Sequence, residues 1–162
     1  IRPSTVYSVD DNFTTLFMTL LSRLPFFPLY YKGNTKFSPI HCTDIAEIIS
    51  TIIEKNINSQ TIECIGPEQI TFKEIVKNLL ESINKKRILV PVPLFLANLL
   101  AFFLEFMPNP LLTKDQIKLL KYDNIETGNF KTNFDLNMPS KLYFKDEVNK
   151  YSYMWKDRGQ FS

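Results

Sequence analysis

His41 is the one histidine of this 162-residue chain, and an imidazole is the side chain best suited to exchange a proton near neutral pH. No Ser, Cys or carboxylate stands at a motif spacing from it, so a structural histidine is the plainer expectation and a cleft-facing acid or base the alternative. Cys42 and Cys64 form no CxxC pair and, with a single histidine, make neither a zinc set nor a disulfide framework. They read as small buried hydrophobes in a reducing, cytoplasmic-type compartment, and no metal is expected. Gly33, Gly66, Gly128 and Gly159 are the only glycines. They are too dispersed for a loop that cradles nucleotide phosphates, whose glycines sit within about six residues of one another.

These groups need elements to hold them, and the apolar spacing supplies the outline. Lys and Arg number 19 against 17 Asp and Glu, a balance that argues against a nucleic-acid binder. Ile1 to Tyr7 reads as a strand, followed by a turn at Asp10-Asp11-Asn12 that caps a helix with Phe13, Leu16, Phe17, Leu20 and Leu21 on one face. Phe37 to Cys42 is short and extended, with Pro39 confining it to an edge or bulge. Thr43 or Asp44 should cap the next helix, whose stripe is Ile45, Ile48, Ile49, Ile52 and Ile53, with Glu47 in the capping-box relation to Asp44. Thr61 to Ile65 alternates as a strand, and Thr71 with Glu74 caps a helix carrying Phe72, Ile75, Val76, Leu79, Leu80 and Ile83.

Ile88-Leu89-Val90 is a further short strand. Residues 94 to 107 are almost wholly apolar, Thr113 with Gln116 opens a helix to about Tyr122, and the chain from about 123 onward reads as polar and irregular. The apolar run at 94–107 is too short to span a bilayer, so it is expected either inside the protein or against a partner or membrane surface. Lys114, Lys118 and Lys121 share a helix face that is either solvated or turned to an anionic lipid surface. Strands alternating with helices indicate an α/β arrangement, organised as one body over 1–122 and a tail over 123–162.

Three segments carry a family resemblance: Arg2-Pro3-Ser4-Thr5-Val6-Tyr7, then Phe37-Ser38-Pro39-Ile40-His41-Cys42-Thr43-Asp44-Ile45-Ala46, then Ile65-Gly66-Pro67-Glu68-Gln69-Ile70-Thr71-Phe72-Lys73-Glu74. In this order and at these distances they resemble the second half of extended short-chain dehydrogenase/reductases, the NAD(P)-dependent epimerases, dehydratases and reductases. The resemblance implies the C-terminal part of a Rossmann-type NAD(P)-binding fold plus a mostly helical substrate-side lobe. It also implies an N-terminal half of the same protein, as partner, that supplies NAD or NADP binding and catalysis, so this chain alone is expected to hold no cofactor. It casts Pro3, Ser4, Thr5 and Val6 as contacts to the nicotinamide half of the cofactor, and Tyr7, Asn12, Phe13, Lys36 and His41 as the substrate side.

Val90-Pro91-Val92-Pro93, Leu111 to Gln116 and Gly159-Gln160-Phe161 narrow the resemblance to a branch similar to nucleotide-binding accessory subunits of respiratory complex I. That branch implies a respiratory-complex partner, a place peripheral to the inner membrane and a cofactor held for structure. The family's catalytic Tyr-x-x-x-Lys pair is missing: four after Tyr7, Tyr31, Tyr122, Tyr143 and Tyr151 stand Asp11, Thr35, Glu126, Glu147 and Trp155. The Lys of that pair lowers the phenol's pKa so that it can pass a proton, so no catalytic residue is expected here. Epimerase-like members also tend to carry Arg where Lys36 and Phe37 stand, which argues against a sugar-nucleotide substrate.

Overall fold

The computed structural model describes residues 1–92 and 118–161. The expected helices over the apolar run 94–107 and from Thr113 lie outside these, save for Lys118 and Leu119, which are helical. The described elements are β1 (Arg2–Pro3), β2 (Val6–Tyr7), α1 (Thr14–Arg23), β3 (Phe26–Leu29), a 3-10 turn (Tyr30–Gly33), β4 (Lys36–Phe37), β5 (Ile40–His41), α2 (Cys42–Glu54), β6 (Ile62–Cys64), β7 (Ile70–Thr71), α3 (Phe72–Ser82), β8 (Ile88–Pro91), β9 (Lys131–Thr132), α4 (Phe144–Tyr151) and a 3-10 turn (Ser152–Trp155). Parallel pairing dominates: β6 lies between β1 and β9, β2 pairs with β5, and β3 with β8, while β4 and β7 are antiparallel. Short parallel strands joined through helices make this the α/β arrangement expected.

Local chemistry explains most starts. Asp11 caps α1 as anticipated, its Oδ1 accepting the N–H groups of Phe13 (2.9 Å) and Thr14 (2.6 Å) and satisfying donors that have no partner within the helix. Thr71 and Glu74 close the expected capping box on α3, the Thr71 N–H donating to Glu74 Oε2 at 2.7 Å and the Glu74 N–H to Thr71 Oγ1 at 3.2 Å. At α2 the expectation fails. His41 occupies the cap, its Nδ1 accepting the Thr43 N–H at 3.3 Å. Asp44 is buried instead and holds the N–H groups of Lys141 and Leu142 at 3.1 and 3.0 Å, so a long-range demand outcompetes the local cap.

The main core collects Phe17, Met18 and Leu21 of α1, Phe27 and Leu29 of β3, the whole apolar stripe of α3, and Phe144, Val148, Tyr151 and Trp155. The last four correct the reading of 123–162 as irregular: the stretch contains β9, α4 and a 3-10 turn. Phe144, Val148 and Tyr151 do sit at helical spacing, a signal diluted by the charged residues between them. A smaller core joins Ile40, Ile48, Ile62, Cys64 and Met138. On α2 only Ile48 of the isoleucine stripe is fully buried, and Ile49 and Ile53 face out. Cys64 is buried as expected, whereas Cys42 is exposed. Gly66 has no substitute: a Cβ there would fall on the Pro39 carbonyl oxygen, where the Gly66 N–H donates to Ser38 O at 3.1 Å.

Candidate functional site

The strand from Arg2 to Tyr7 changes partner midway, and that change opens the site. Ser4 donates its N–H to Cys64 O at 2.9 Å, on the β6 side, while Thr5 O accepts the Ile40 N–H at 3.0 Å, on the β5 side. Because backbone groups alternate edges along a strand and Ile40 bonds to residues flanking Val6, the register turns the N–H and C=O of Val6 away from β5. Beside that edge lies a pocket of about 530 Å³ lined by Thr5, Val6, Asn12, Phe13, Leu16, Phe17, Phe37, Leu119, Leu120, Tyr122, Asp123 and Asn124. It sits at the end of a parallel strand, where open α/β sheets place their ligands.

Its walls are largely apolar, with Phe13, Phe17, Phe37 and Tyr122 as the aromatic members. Phe13 and Phe17 meet edge to face at 5.0 Å, Phe17 meets Phe72 at 5.4 Å, and Phe13 and Phe37 lie 6.0 Å apart. Such a lining accepts a flat ring. The polar corner is the pair Asp123-Asn124. Asp123 Oδ1 accepts the Lys36 N–H at 2.8 Å, Asn124 O accepts Ser4 Oγ–H at 2.8 Å and the Ser38 N–H at 3.0 Å, and Asn124 Nδ2 donates to Thr5 Oγ1 at 3.0 Å. This corner ties β2 to β4 and fixes the pocket's rim. Leu119, Leu120 and Tyr122 join it from a region 80 or more positions from Phe37, which no local pattern ties to this strand end.

Of the residues expected at a site, the structure brings together Thr5, Val6, Asn12 and Phe13. Pro3 and Ser4 line a second cavity of about 270 Å³ on the other side of Asn124, with Arg2, Glu63 and Thr127. Tyr7 is wholly buried behind the first pocket, its hydroxyl donating to Leu142 O at 3.2 Å and its ring edge-on to His41 (5.2 Å) and Phe144 (4.9 Å). Burial first, then the nearby Glu147 carboxylate, pushes the Tyr7 phenol far above its usual range, so it stays protonated at any working pH. His41 caps α2, and the Lys36 side chain points to solvent. Neither lines the pocket.

Among the described lining residues the one carboxylate is Asp123, whose Oδ1 accepts the Lys36 backbone N–H at 2.8 Å. The described lining combines an apolar wall, side-chain amides at Asn12 and Asn124, and backbone groups of Val6 turned from their neighbour strand. Among the described residues no group of His, Cys, Asp and Glu side chains is placed to hold a metal ion, and no helix is long and apolar enough to cross a membrane.

No family model matches the chain. It is 29% identical over 142 residues to NADH dehydrogenase (ubiquinone) 1 alpha subcomplex subunit 9, mitochondrial, of Dictyostelium discoideum, which covers 85% of this chain and 40% of that protein. Solved structures similar to it are the UDP-glucose 4-epimerase of Thermus thermophilus in complex with NAD (TM-score 0.58, 13% identity, 93% of this chain and 45% of that one) and the dTDP-glucose 4,6-dehydratase of Streptomyces venezuelae with NAD bound (TM-score 0.59, 16% identity, 98% and 43%). The chain thus has the α/β fold shared with NAD-dependent epimerases and dehydratases, and it spans less than half the length of these relatives.

Proposed function

We propose that this chain is the substrate-side C-terminal segment of an NAD(P)-dependent oxidoreductase- or epimerase-like protein, with Thr5 and Val6, of the segment Pro3 to Val6, facing the nicotinamide half of the cofactor and Asn12 and Phe13 lining the adjoining space. The observation that carries this reading is the convergence of Thr5, Val6, Asn12 and Phe13 on one apolar-walled pocket at a strand end. Tyr7, Lys36 and His41 belong to the substrate side as the layer behind and beside that pocket, where Tyr7 and His41 brace β2 against β5. The phosphates and the proton donor are the task of a further N-terminal half. The cofactor, when bound, supplies hydride chemistry. This chain's own residues orient the ring, exclude water and fix the rim.

A second reading has its own support, the likeness to a mitochondrial NADH dehydrogenase subunit. In it the parent protein holds NAD(P) for stability and docks as an accessory subunit of a respiratory complex, peripheral to the inner membrane, and the compartment is the mitochondrion rather than the cytoplasm. Both readings place the nicotinamide against the same pocket. The test is calorimetric titration of the polypeptide that joins this chain to its N-terminal half with NADH and NADPH. Val6, 38% exposed on the pocket wall, becomes in Val6→Arg a long charged side chain that fills the space the ring would take, which should weaken binding by about tenfold or more, and an unchanged affinity would sink the pocket assignment. Hydride transfer by the same polypeptide separates the enzyme from the subunit.

A further inference from the structure

Strands β3 and β8 form a parallel ribbon whose inner positions, Phe27 and Leu29, are buried at 2% and 3% exposure. Side chains alternate along a strand, so Phe26 and Pro28 point the other way, as do Ile88 and Val90 opposite them. An outward face left to water is ordinarily polar, and parallel strands such as these are ordinarily covered on both faces. Here it is apolar throughout: Phe26 is 57% exposed, Ile88 71% and Val90 39%, with Leu24 beside them at 37%. The register makes neighbours of these groups, Phe26 against Ile88 and Pro28 against Val90, so they form one patch rather than scattered residues of the kind every surface shows.

Charge sets the patch apart from an ordinary protein interface. No acidic residue stands between Asp11 and Asp44, where Arg23, Lys32 and Lys36 lie, and none between Glu81 and Glu105, where Lys85, Lys86 and Arg87 lie. These are the two segments that contribute the ribbon. With 19 basic and 17 acidic residues in the chain, the imbalance is one of placement. The fold brings the cations together, since the Arg87 guanidinium donates to Leu21 O and Ser22 O, each at 2.9 Å, and thereby sets Lys85-Lys86-Arg87 beside Arg23 at the end of α1. Among the described residues Asp157 reaches this cluster, pairing with Lys85 at 2.9 Å. Arg23 and Lys86 are exposed.

An apolar patch rimmed by cations of one sign matches an anionic lipid surface, where aromatic and aliphatic groups enter the headgroup boundary and lysines and arginines meet the phosphates. We propose that Leu24, Phe26, Ile88 and Val90, with Arg23 and Lys86, form a peripheral contact with an anionic phospholipid bilayer. The patch shares no residue with the pocket, so this proposal stands apart from the nucleotide reading. Four exposed apolar groups and a handful of cations give a reversible, salt-sensitive contact rather than permanent anchoring.

The whole 162-residue chain, mixed with vesicles of phosphatidylcholine alone or of phosphatidylcholine with phosphatidylglycerol, tests this by co-sedimentation. The wild type is expected to pellet with the anionic vesicles only and to be released as salt rises. Lys86→Ala should weaken the association about fivefold, and Phe26→Ser/Ile88→Ser about tenfold or more, both with thermal midpoints within about 2 °C of the wild type, as surface substitutions allow. Four results would overturn the proposal: no pelleting with anionic vesicles, equal pelleting with neutral ones, undiminished binding by the double variant, or a double variant whose midpoint falls far below the wild type. The last would show these side chains to be covered by protein.

Discussion

The β7–α3 unit and the stretch from Asp123 to Phe161 both feed the main core, the first with Phe72, Ile75, Val76, Leu79, Leu80 and Ile83, the second with Phe144, Val148, Tyr151 and Trp155. Their supports differ in kind. The unit is closed by bonds between residues three apart, Thr71 to Glu74 in both directions. The stretch is held by partners far away in sequence: Trp155 Nε1–H donates to Thr19 Oγ1 at 2.9 Å, Tyr151 shares a hydrogen bond with Thr14 at 2.9 Å, and the Phe144 N–H donates to Glu68 Oε1 at 2.9 Å. A segment with little apolar periodicity can therefore be as well buried as an amphipathic helix when other elements already present the surface it completes.

The most severe way to break the contrast is Phe144→Ala. Phe144 is fully buried between Tyr7 and the α3 stripe, and its truncation should cost about 3–5 kcal/mol, the range for a large core aromatic. Urea unfolding checks it, and a loss below about 1 kcal/mol, the level of surface change, would make the stretch an appendage after all.

A middle effect is expected at Asn133, which has no exposure and bridges two elements, its Oδ1 accepting the Ile65 N–H at 2.8 Å and its Nδ2 donating to Met138 O at 3.1 Å. Asn133→Ala strands both backbone groups and should lower stability by about 2–3 kcal/mol. Amide exchange at Ile65 should quicken with it. Protection retained at that amide would show that the bridge is dispensable.

The smallest effect falls on the local unit. Thr71→Ala removes half of the capping box and should cost about 1 kcal/mol. Hydrogen bonds from the Thr71 backbone, then from its side chain, hold the Glu74 carboxyl below its ordinary value of 4.5. A lowered carboxyl pKa adds stability above the unfolded value, which is lost as pH falls through the folded one. The stability gap between wild type and Glu74→Gln should thus be constant at neutral pH and close below about pH 4.5. A gap that persists in acid would mean that the carboxylate's charge is irrelevant to the cap.

The strand-end motif at Pro3 to Tyr7, the caps of α1 and α3 and the stripe of α3 were readable in the sequence because each depends on residues within a few positions of one another, where the period of a helix or strand leaves a repeat to detect. Thr5 and Val6 were nameable as candidates only through the family resemblance, and Asn12 and Phe13 through it and their place after a strand end. The Asp123-Asn124 corner was not, since its meaning lies in bonds to Ser4, Thr5, Lys36 and Ser38 that span up to 120 positions and have no signature in Asp-Asn itself. His41 in place of Thr43 or Asp44 at the α2 cap, and the outward faces of Ile49 and Ile53, were likewise decided by which surfaces the assembled elements offered. Local hydrogen bonding and periodicity were fixed by the order of residues, whereas the identity of each partner across the core, and with it the walls of the pocket, was fixed only when the strands found their register.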